Sequence, residues 1–377
     1  MEGLKMVDLE GQYLKIKEEI DQAILETVAS TWFVGGPKVA AFKKSLEEYL
    51  DVKHVITCAN GTDALQVAMM ALGLKPGDEI LVPAFTYVAT AEVIALLGLT
   101  PIMVDVKEDH FMLCPKDLEK HLSEKTKAIV PVHLFGQVAP MEGLMKFAEK
   151  HNLFVIEDNA QAIGADYTFS NGKKQKAGTI GHIGTTSFFP AKNLGCFGDG
   201  GAIFTNDDAL AETIASIANH GQSKTRYYHD LVGVNSRLDA IQAAVLDIKL
   251  KYLDGYAKAR NEVADFYDNA FQGIEELVVP KRVSFSNHVF HQYTLKIKNG
   301  KRDELRKHLS ENKIPHNVYY PVPLYEQRAY KNLKGAVDFL PVTDMLCKEV
   351  ISLPIHTEMN DEILTHITNN VKSFFTS

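Results

Sequence analysis

No C-x-x-C pair occurs among the four cysteines, Cys58, Cys114, Cys196 and Cys347, which leaves the chain neither a zinc ribbon nor a disulfide scaffold. Cysteines this far apart fit a reducing cytoplasm. Positive charge is not in excess: 40 Lys and Arg against 48 Asp and Glu give a formal net charge of -8, so the counterion release that drives nucleic-acid binding is missing. No apolar run is long enough to span a bilayer, and the longest, VIALLGLTPIMV, contains Pro101. The start, MEGLKMVDLEGQY, lacks the basic head and apolar core of a secretory signal, so the glycosylation-like triplet Asn60-Gly61-Thr62 has no secreted context. The histidines, among them His133, His220 and His356, have no metal-ligand spacing, and no metal is expected. Nor does G-x-G-x-x-G follow the first predicted strand, which argues against a dinucleotide-binding dehydrogenase.

What is present is a chain of 377 residues, 46% hydrophobic, long enough for a large domain and a smaller one. Short β-rich runs (HVITC, EILVPAF, PIMVDV, KAIVPVHLF, LFVIED, TTSFF, GAIFT) alternate with helical stretches such as ALQVAMMALGL, PKDLEKHL and GLMKFAEKHN. This alternation predicts an α/β fold: a doubly wound, mostly parallel sheet sandwiched by helices, with ligands at the carboxyl ends of its strands. Beyond residue 250 the pattern changes to a long helical run, DIKLKYLDGYAKARNEVADFYDNAF, isolated strands and a last helix, DEILTHITNNVKSFF. The expected division is a large domain over 1–250 and a smaller α+β domain over 251–377. The amphipathic N-terminal helix is counted with the first, although it also suits completion of the second.

The chemistry-bearing residues fall at the predicted strand ends. In SFFPAKNLGCFGDGG, residues 187–201, Lys192 sits in a glycine-rich loop, a setting that a solvated lysine does not need. The strand LFVI ends in Glu157-Asp158, and a buried carboxylate there calls for a cationic partner such as a protonated pyridine nitrogen; a helix N-cap is the other reading of Asp158. Gln161 offers an amide to a ring oxygen. Gly61 and Thr62 open a helix whose free amides and dipole suit a phosphate, with Ser187 and Asn235 as further donors, although any capped helix has this form. Tyr87, just past EILVP, is placed to stack on a flat ring or to pack in the core. Together these features are the binding inventory of pyridoxal phosphate.

The ordered set NGTDAL, FTYVATAE, EDNAQAIGA, SFFPAKNLGCFGDGGAIFTND and GVNSRLDAIQAAVL resembles the DegT/DnrJ/StrS family of nucleotide-sugar aminotransferases, from VDLEGQY almost to the C-terminus. The resemblance implies the type I fold of pyridoxal-phosphate transferases. It also implies Lys192 as the Schiff-base lysine, Asp158 against the pyridine nitrogen and Gln161 against the ring oxygen. Gly61, Thr62 and Ser187 would lie at the phosphate and Tyr87 on the ring face. Asn235 would reach the phosphate of a neighbouring subunit's cofactor, hence a homodimer with shared sites. Relatives with histidine in place of the lysine are dehydratases, and Lys192 places this chain outside that branch.

CANGTDALQ, FTYVATAE and GDGGAIFTNDD are most similar to enzymes that aminate UDP-2-acetamido-2-deoxy-3-oxo-glucuronate for surface polysaccharides such as lipopolysaccharide O-antigen. Glutamate is the implied donor. Arg237 is the candidate for the diphosphate or the sugar carboxylate, because its planar fork bonds two oxygens at once, and Tyr319 and Tyr320, ahead of Pro321, are candidates to bracket the sugar or to pack. Arg237 also has Asp239 as a candidate ion-pair partner. The alternatives are a dTDP-3-keto-6-deoxyhexose acceptor or a pyridoxal-phosphate-binding regulator without turnover. The sequence departs from the family pattern at Asn60, where serine is common, at Asn159, where alanine is common, and at Tyr319 and Tyr325, where histidine is frequent. The last two bear on sugar selectivity.

Overall fold

Strands too apolar to face water on either side come together as a central sheet. The computed structural model describes residues 3–333, 337 and 339–376. In chain order the strands are β1 (His54–Cys58), β2 (Glu79–Pro83), β3 (Thr100–Val104), β4 (Thr126–Ile129) and β5 (Phe154–Asp158). A small hairpin outside the sheet, β6 (Asp166–Thr168) and β7 (Lys174–Lys176), precedes β8 (Ile183–Ser187) and β9 (Gly201–Thr205). The seven-stranded order is β1-β9-β8-β5-β4-β2-β3, with β9 alone running against the other six. The predicted α/β class is thus the observed one. Several strands stop earlier than their apolar runs. KAIVPVHLF ends as a strand at Ile129, because Pro131 has no N–H to give to a ladder.

Helices α1 (Leu9–Lys15), α2 (Lys17–Ser30), α3 (Gly36–Leu50), α4 (Gly61–Ala71), α5 (Ala89–Leu96), α6 (Pro115–Leu118), α7 (Met141–His151), α8 (Asp208–Ala218) and α9 (Ala240–Leu250) accompany this part of the chain. The pleat sends successive strand residues to opposite faces: Val82 and Ile156 join one apolar cluster, Leu81 and Val155 the other. The N-terminal helix is two helices broken at Ile16. Its α2 docks on α9 through Ile20 and Val245, while Leu4, ahead of α1, touches the C-terminal core.

The long helical run after residue 240 also divides, into α9 and α10 (Leu253–Ala270), because the two halves serve different cores. Leu246 and Leu250 of α9 pack with Phe42 and Phe188, whereas Val263 and Tyr267 of α10 pack with Tyr293 and Leu305. The remaining elements are β10 (Leu277–Val278), β11 (Tyr293–Ile297), α11 (Arg302–Glu311), α12 (Pro341–Glu349), β12 (Val350–Leu353) and α13 (Asp361–Thr376). Their strands form an antiparallel sheet, β10-β11-β12. Part of this C-terminal stretch returns to the large sheet: Tyr325, Tyr330 and Leu340 join one of its clusters, Leu346 and Cys347 the other. Among the described residues no helix is long and apolar enough to cross a membrane.

The end of β5 is held by an unusually complete set of polar contacts. Glu157 is fully buried, and its carboxylate accepts the amides of Gly178 (3.0 Å), Ile180 (2.6 Å) and Gly181 (2.5 Å). The imidazole of His133, 2.8 Å away, adds a fourth contact. Ala139 N–H donates to His133 Nδ1, which leaves Nε2 as the donor to Glu157. Glu157→Leu strips four buried donors of their acceptor. Urea denaturation of the folded variant is expected to give a loss of at least about 3 kcal/mol; a loss below about 1 kcal/mol would show that this cluster does not hold the strand end.

Candidate active site

Asp158 follows Glu157 and points to the opposite face, where it is 6% exposed. Thr90 Oγ1 donates to its Oδ2 at 2.8 Å, and Ala160 N–H donates to its Oδ1 at 3.2 Å. No cationic side chain forms an ion pair with it among the described residues. A buried carboxylate without an ion-pair partner can meet a cationic ligand atom. This refutes the N-cap reading, because no helix begins at Asp158.

Gln161, one turn further, is oriented from both ends. Its Oε1 accepts Phe135 N–H at 2.8 Å, and its Nε2 donates to Tyr320 Oη at 3.2 Å. One Nε2 hydrogen is left over, directed by the other two bonds. The Tyr320 ring lies 5.9 Å from Phe85 and 6.3 Å from Tyr87. Tyr87 itself is 57% exposed, so it is a surface ring at the sheet edge and not a core tyrosine.

At the neighbouring strand end, α4 begins against β8. Asn60 caps the helix through Asp63 N–H at 2.8 Å, while the amides of Gly61 and Thr62 have no acceptor among the described residues. Glycine at 61 is required by packing: a Cβ there would lie 2.7 Å from Ser187 Cβ. Close approach of α4 to β8 thus brings Ser187 to the open helix end. The loop glycines also serve the loop itself, since a Cβ on Gly195 would lie 2.3 Å from the Pro190 carbonyl oxygen.

Lys192 lies in this loop. Burial pushes its ammonium down to about 8, with the Asp158 carboxylate pulling the other way. No hydrogen bond or ion pair holds its Nζ among the described residues. A lysine at about 8 is half neutral at that pH, against about one in three hundred for an ordinary lysine. That is the nucleophilic form.

Asn235 and Arg237 are not brought to this cluster. Both are exposed, on a strand-like segment whose alternate residues Ser236 and Leu238 are buried. Ser236 ties that segment to the start of α4, donating to Asp63 at 2.6 Å and accepting Ala59 N–H at 3.0 Å. Arg237 reaches Asn219 at 3.4 Å and forms no ion pair with Asp239. Tyr319 is partly buried, its hydroxyl accepting from Asn317 at 2.9 Å. Tyr325 stands outside the cluster altogether: it is buried against the large sheet, with its hydroxyl bound to Asp344 and accepting Leu340 N–H at 3.2 Å.

The sequence reading missed three supporting residues. Thr90 is one, marked only by being a polar residue in the first turn of an apolar helix. Lys249, in the apolar run AAVLDIKL, is buried, pushed down to about 8 by that burial, and donates to Gly195 O at 2.5 Å, bracing the Lys192 loop. His291 is buried near Lys192; burial first, then the charges of Lys192 and Arg260, lower its pKa well below the usual imidazole range. Its sequence offered no signal beyond one histidine among many.

Residues 14–372 match the DegT/DnrJ/EryC1/StrS aminotransferase family. The chain belongs to that family. It is 44% identical over 375 residues, 99% of each chain, to a "Pleiotropic regulatory protein" of Geobacillus stearothermophilus. It is 42% identical over 356 residues to the UDP-2-acetamido-2-deoxy-3-oxo-D-glucuronate aminotransferase of Pseudomonas aeruginosa, covering 94% of this chain and 95% of that one. A DegT/DnrJ/EryC1/StrS aminotransferase crystal structure from Brucella abortus superposes with a TM-score of 0.94 at 40% identity over the whole of both chains. The protein is therefore a sugar aminotransferase, and its cofactor is pyridoxal phosphate. The donor set fits that cofactor: an unpaired carboxylate, an open helix N-terminus, a directed amide and a free amine.

If Lys192 is the reactive amine, borohydride trapping of added pyridoxal phosphate, mapped by peptide mass spectrometry, marks Lys192 with a pH midpoint near 8. The yield rises with pH because deprotonation generates the nucleophile. A midpoint near 10.5, the ordinary lysine value, would contradict this.

Proposed function

We propose that this aminotransferase converts a nucleotide-linked 3-keto sugar to the 3-amino sugar, with UDP-2-acetamido-2-deoxy-3-oxo-glucuronate as acceptor and glutamate as donor, in the cytoplasm and for surface polysaccharide synthesis. The observation that carries the reading is the free, half-neutral Lys192 amine within the field of buried Asp158, at the sheet edge where α4 leaves its amides open. Likeness to the Pseudomonas enzyme supports the acceptor.

In this reading the amides of Gly61 and Thr62, with Ser187, hold the phosphate, and Tyr87 covers one ring face. Gln161 gives its remaining Nε2 hydrogen to the ring oxygen. Asp158 keeps a negative charge opposite the ring nitrogen. Bound pyridoxal phosphate supplies an electron-withdrawing ring that accepts an electron pair from the reacting carbon. Lys192 Nζ removes the proton from that carbon and returns it to the other reacting carbon. Arg237, whose planar fork bonds two oxygens at once, takes the diphosphate or the uronate carboxylate, and Tyr319 and Tyr320 bracket the sugar.

The exposed Asn235 and Arg237 have a use if a second copy of the chain supplies the rest of their site, which supports a homodimer with shared sites. Exposed Trp32, Phe33, Leu231 and Val232 give such a copy an apolar surface to cover. We read residues 1–250 as the cofactor-binding domain and 251–377 as the smaller one. The name of the Geobacillus relative favours a second reading, a regulator that binds the cofactor without turnover, against which the unpaired Lys192 amine speaks.

Steady-state kinetics separate these readings. Lys192→Ala is expected to lose about a thousandfold or more in turnover, and wild type to prefer the UDP-uronate over a dTDP-3-keto-6-deoxyhexose. Arg237→Ala is expected to raise KM for the uronate by about tenfold. Preference for the deoxyhexose overturns the acceptor and leaves the enzyme class; no turnover of any keto sugar favours the regulator.

Subunit sharing has its own test. Mixing inactive Lys192→Ala and Asn235→Ala chains, with exchange verified by mass spectrometry, restores activity through hybrid sites. Exchange without recovery would exclude shared sites.

A further inference from the structure

Asp158 is held on one side by a backbone amide that any residue but proline at 160 would supply, and on the other by a single side chain, Thr90. Thr90 is 1% exposed and stands second in α5, three residues after Tyr87. A helical threonine ordinarily turns its hydroxyl back to the carbonyl three or four residues earlier. Here the hydroxyl instead crosses to Asp158 Oδ2 at 2.8 Å. A carboxylate turns readily about its last torsion, so a carboxylate with only the Ala160 contact would be free to swing.

We propose that Thr90 is a positioning residue for the cofactor: its hydroxyl fixes the rotation of the Asp158 carboxylate against which the pyridine nitrogen sets. The inference rests on Asp158 being the partner of that nitrogen. Because Tyr87 and Thr90 belong to the same turn of chain, one segment fixes both the plane of the cofactor ring and the group at its nitrogen. The hydroxyl gives its only proton to Oδ2, so the bond exists only with the carboxylate oxygen as acceptor.

Thr90→Val keeps the shape and deletes the hydroxyl; Thr90→Ser keeps the hydroxyl. Two measurements on purified protein apply: the dissociation constant of pyridoxal phosphate from apoprotein, and the ring-nitrogen resonance of isotope-labelled cofactor in the holoprotein. Thr90→Val is expected to weaken cofactor binding by about tenfold, the size of one hydrogen bond to a charged group. It is also expected to move the nitrogen resonance toward that of unprotonated pyridine. Thr90→Ser should stay within about threefold of wild type in affinity, with the resonance in place. Should Thr90→Val fail to fold, Thr90→Ala carries the same expectation. An unmoved resonance and an affinity within about twofold of wild type in the hydroxyl-free variant would overturn the proposal, as would loss of both in Thr90→Ser. Asp158→Asn separates the two levels. If it moves the resonance and Thr90→Val does not, Thr90 alone is misassigned; if Asp158→Asn leaves it unmoved, the pairing of Asp158 with the ring nitrogen is wrong.

Discussion

Two adjacent carboxylates at the end of one buried strand set the terms for the rest of the molecule. A strand sends neighbouring side chains to opposite faces, so Glu157 and Asp158 enter different environments although both are buried. Glu157 is met by three amides and an imidazole, and its charge is fully used in holding the strand end. Asp158 is met by one hydroxyl and one amide, and by no cationic side chain among the described residues. Burying one fully satisfied charge beside one that is not is costly for a fold and useful for a catalyst, because the second waits for a cationic ligand.

The other parts of the site have the same character, each being a polar group whose obvious internal partner has been withheld. The first amides of α4 are capped at Asp63 and left open at Gly61 and Thr62. The surroundings of Lys192 push its ammonium down to about 8, yet Lys249 and not Lys192 makes the hydrogen bond to the loop carbonyl. Gln161 is fixed at both ends with one hydrogen left over. These positions come from three separate segments. The parallel sheet gathers them, since it brings the carboxyl ends of β5 and β8 and the start of α4 to one edge.

The tyrosines proposed to meet the sugar come from a different part of the chain. The segment carrying Tyr319 and Tyr320 leads directly into Tyr325, which is buried in the large core through Asp344 and the Leu340 amide. The position where histidine is frequent in the family is here a core anchor. Tyr320, ahead of it, reaches Gln161 from the C-terminal half of the molecule.

The sequence by itself determined the alternation of strands and helices, and hence the sheet, its strand ends and the local motifs that lie at them. It did so because burial on both faces demands continuous apolar runs, and because NGTDAL, EDNAQ and the Lys192 loop are local patterns whose chemistry is carried within a few residues. The tertiary structure alone decided what depends on distance through space. Thr90 gained a role from Asp158, 68 positions away, and Lys249 from Gly195, 54 away. Gly61 proved necessary because Ser187 occupies the space of its missing side chain. The run after residue 240 reads as one helical pattern but splits, because its two halves are claimed by two cores. Local pattern specifies which groups a segment offers; which of them remain unpaired is settled only when the segments meet, because pairing is a property of neighbours in space.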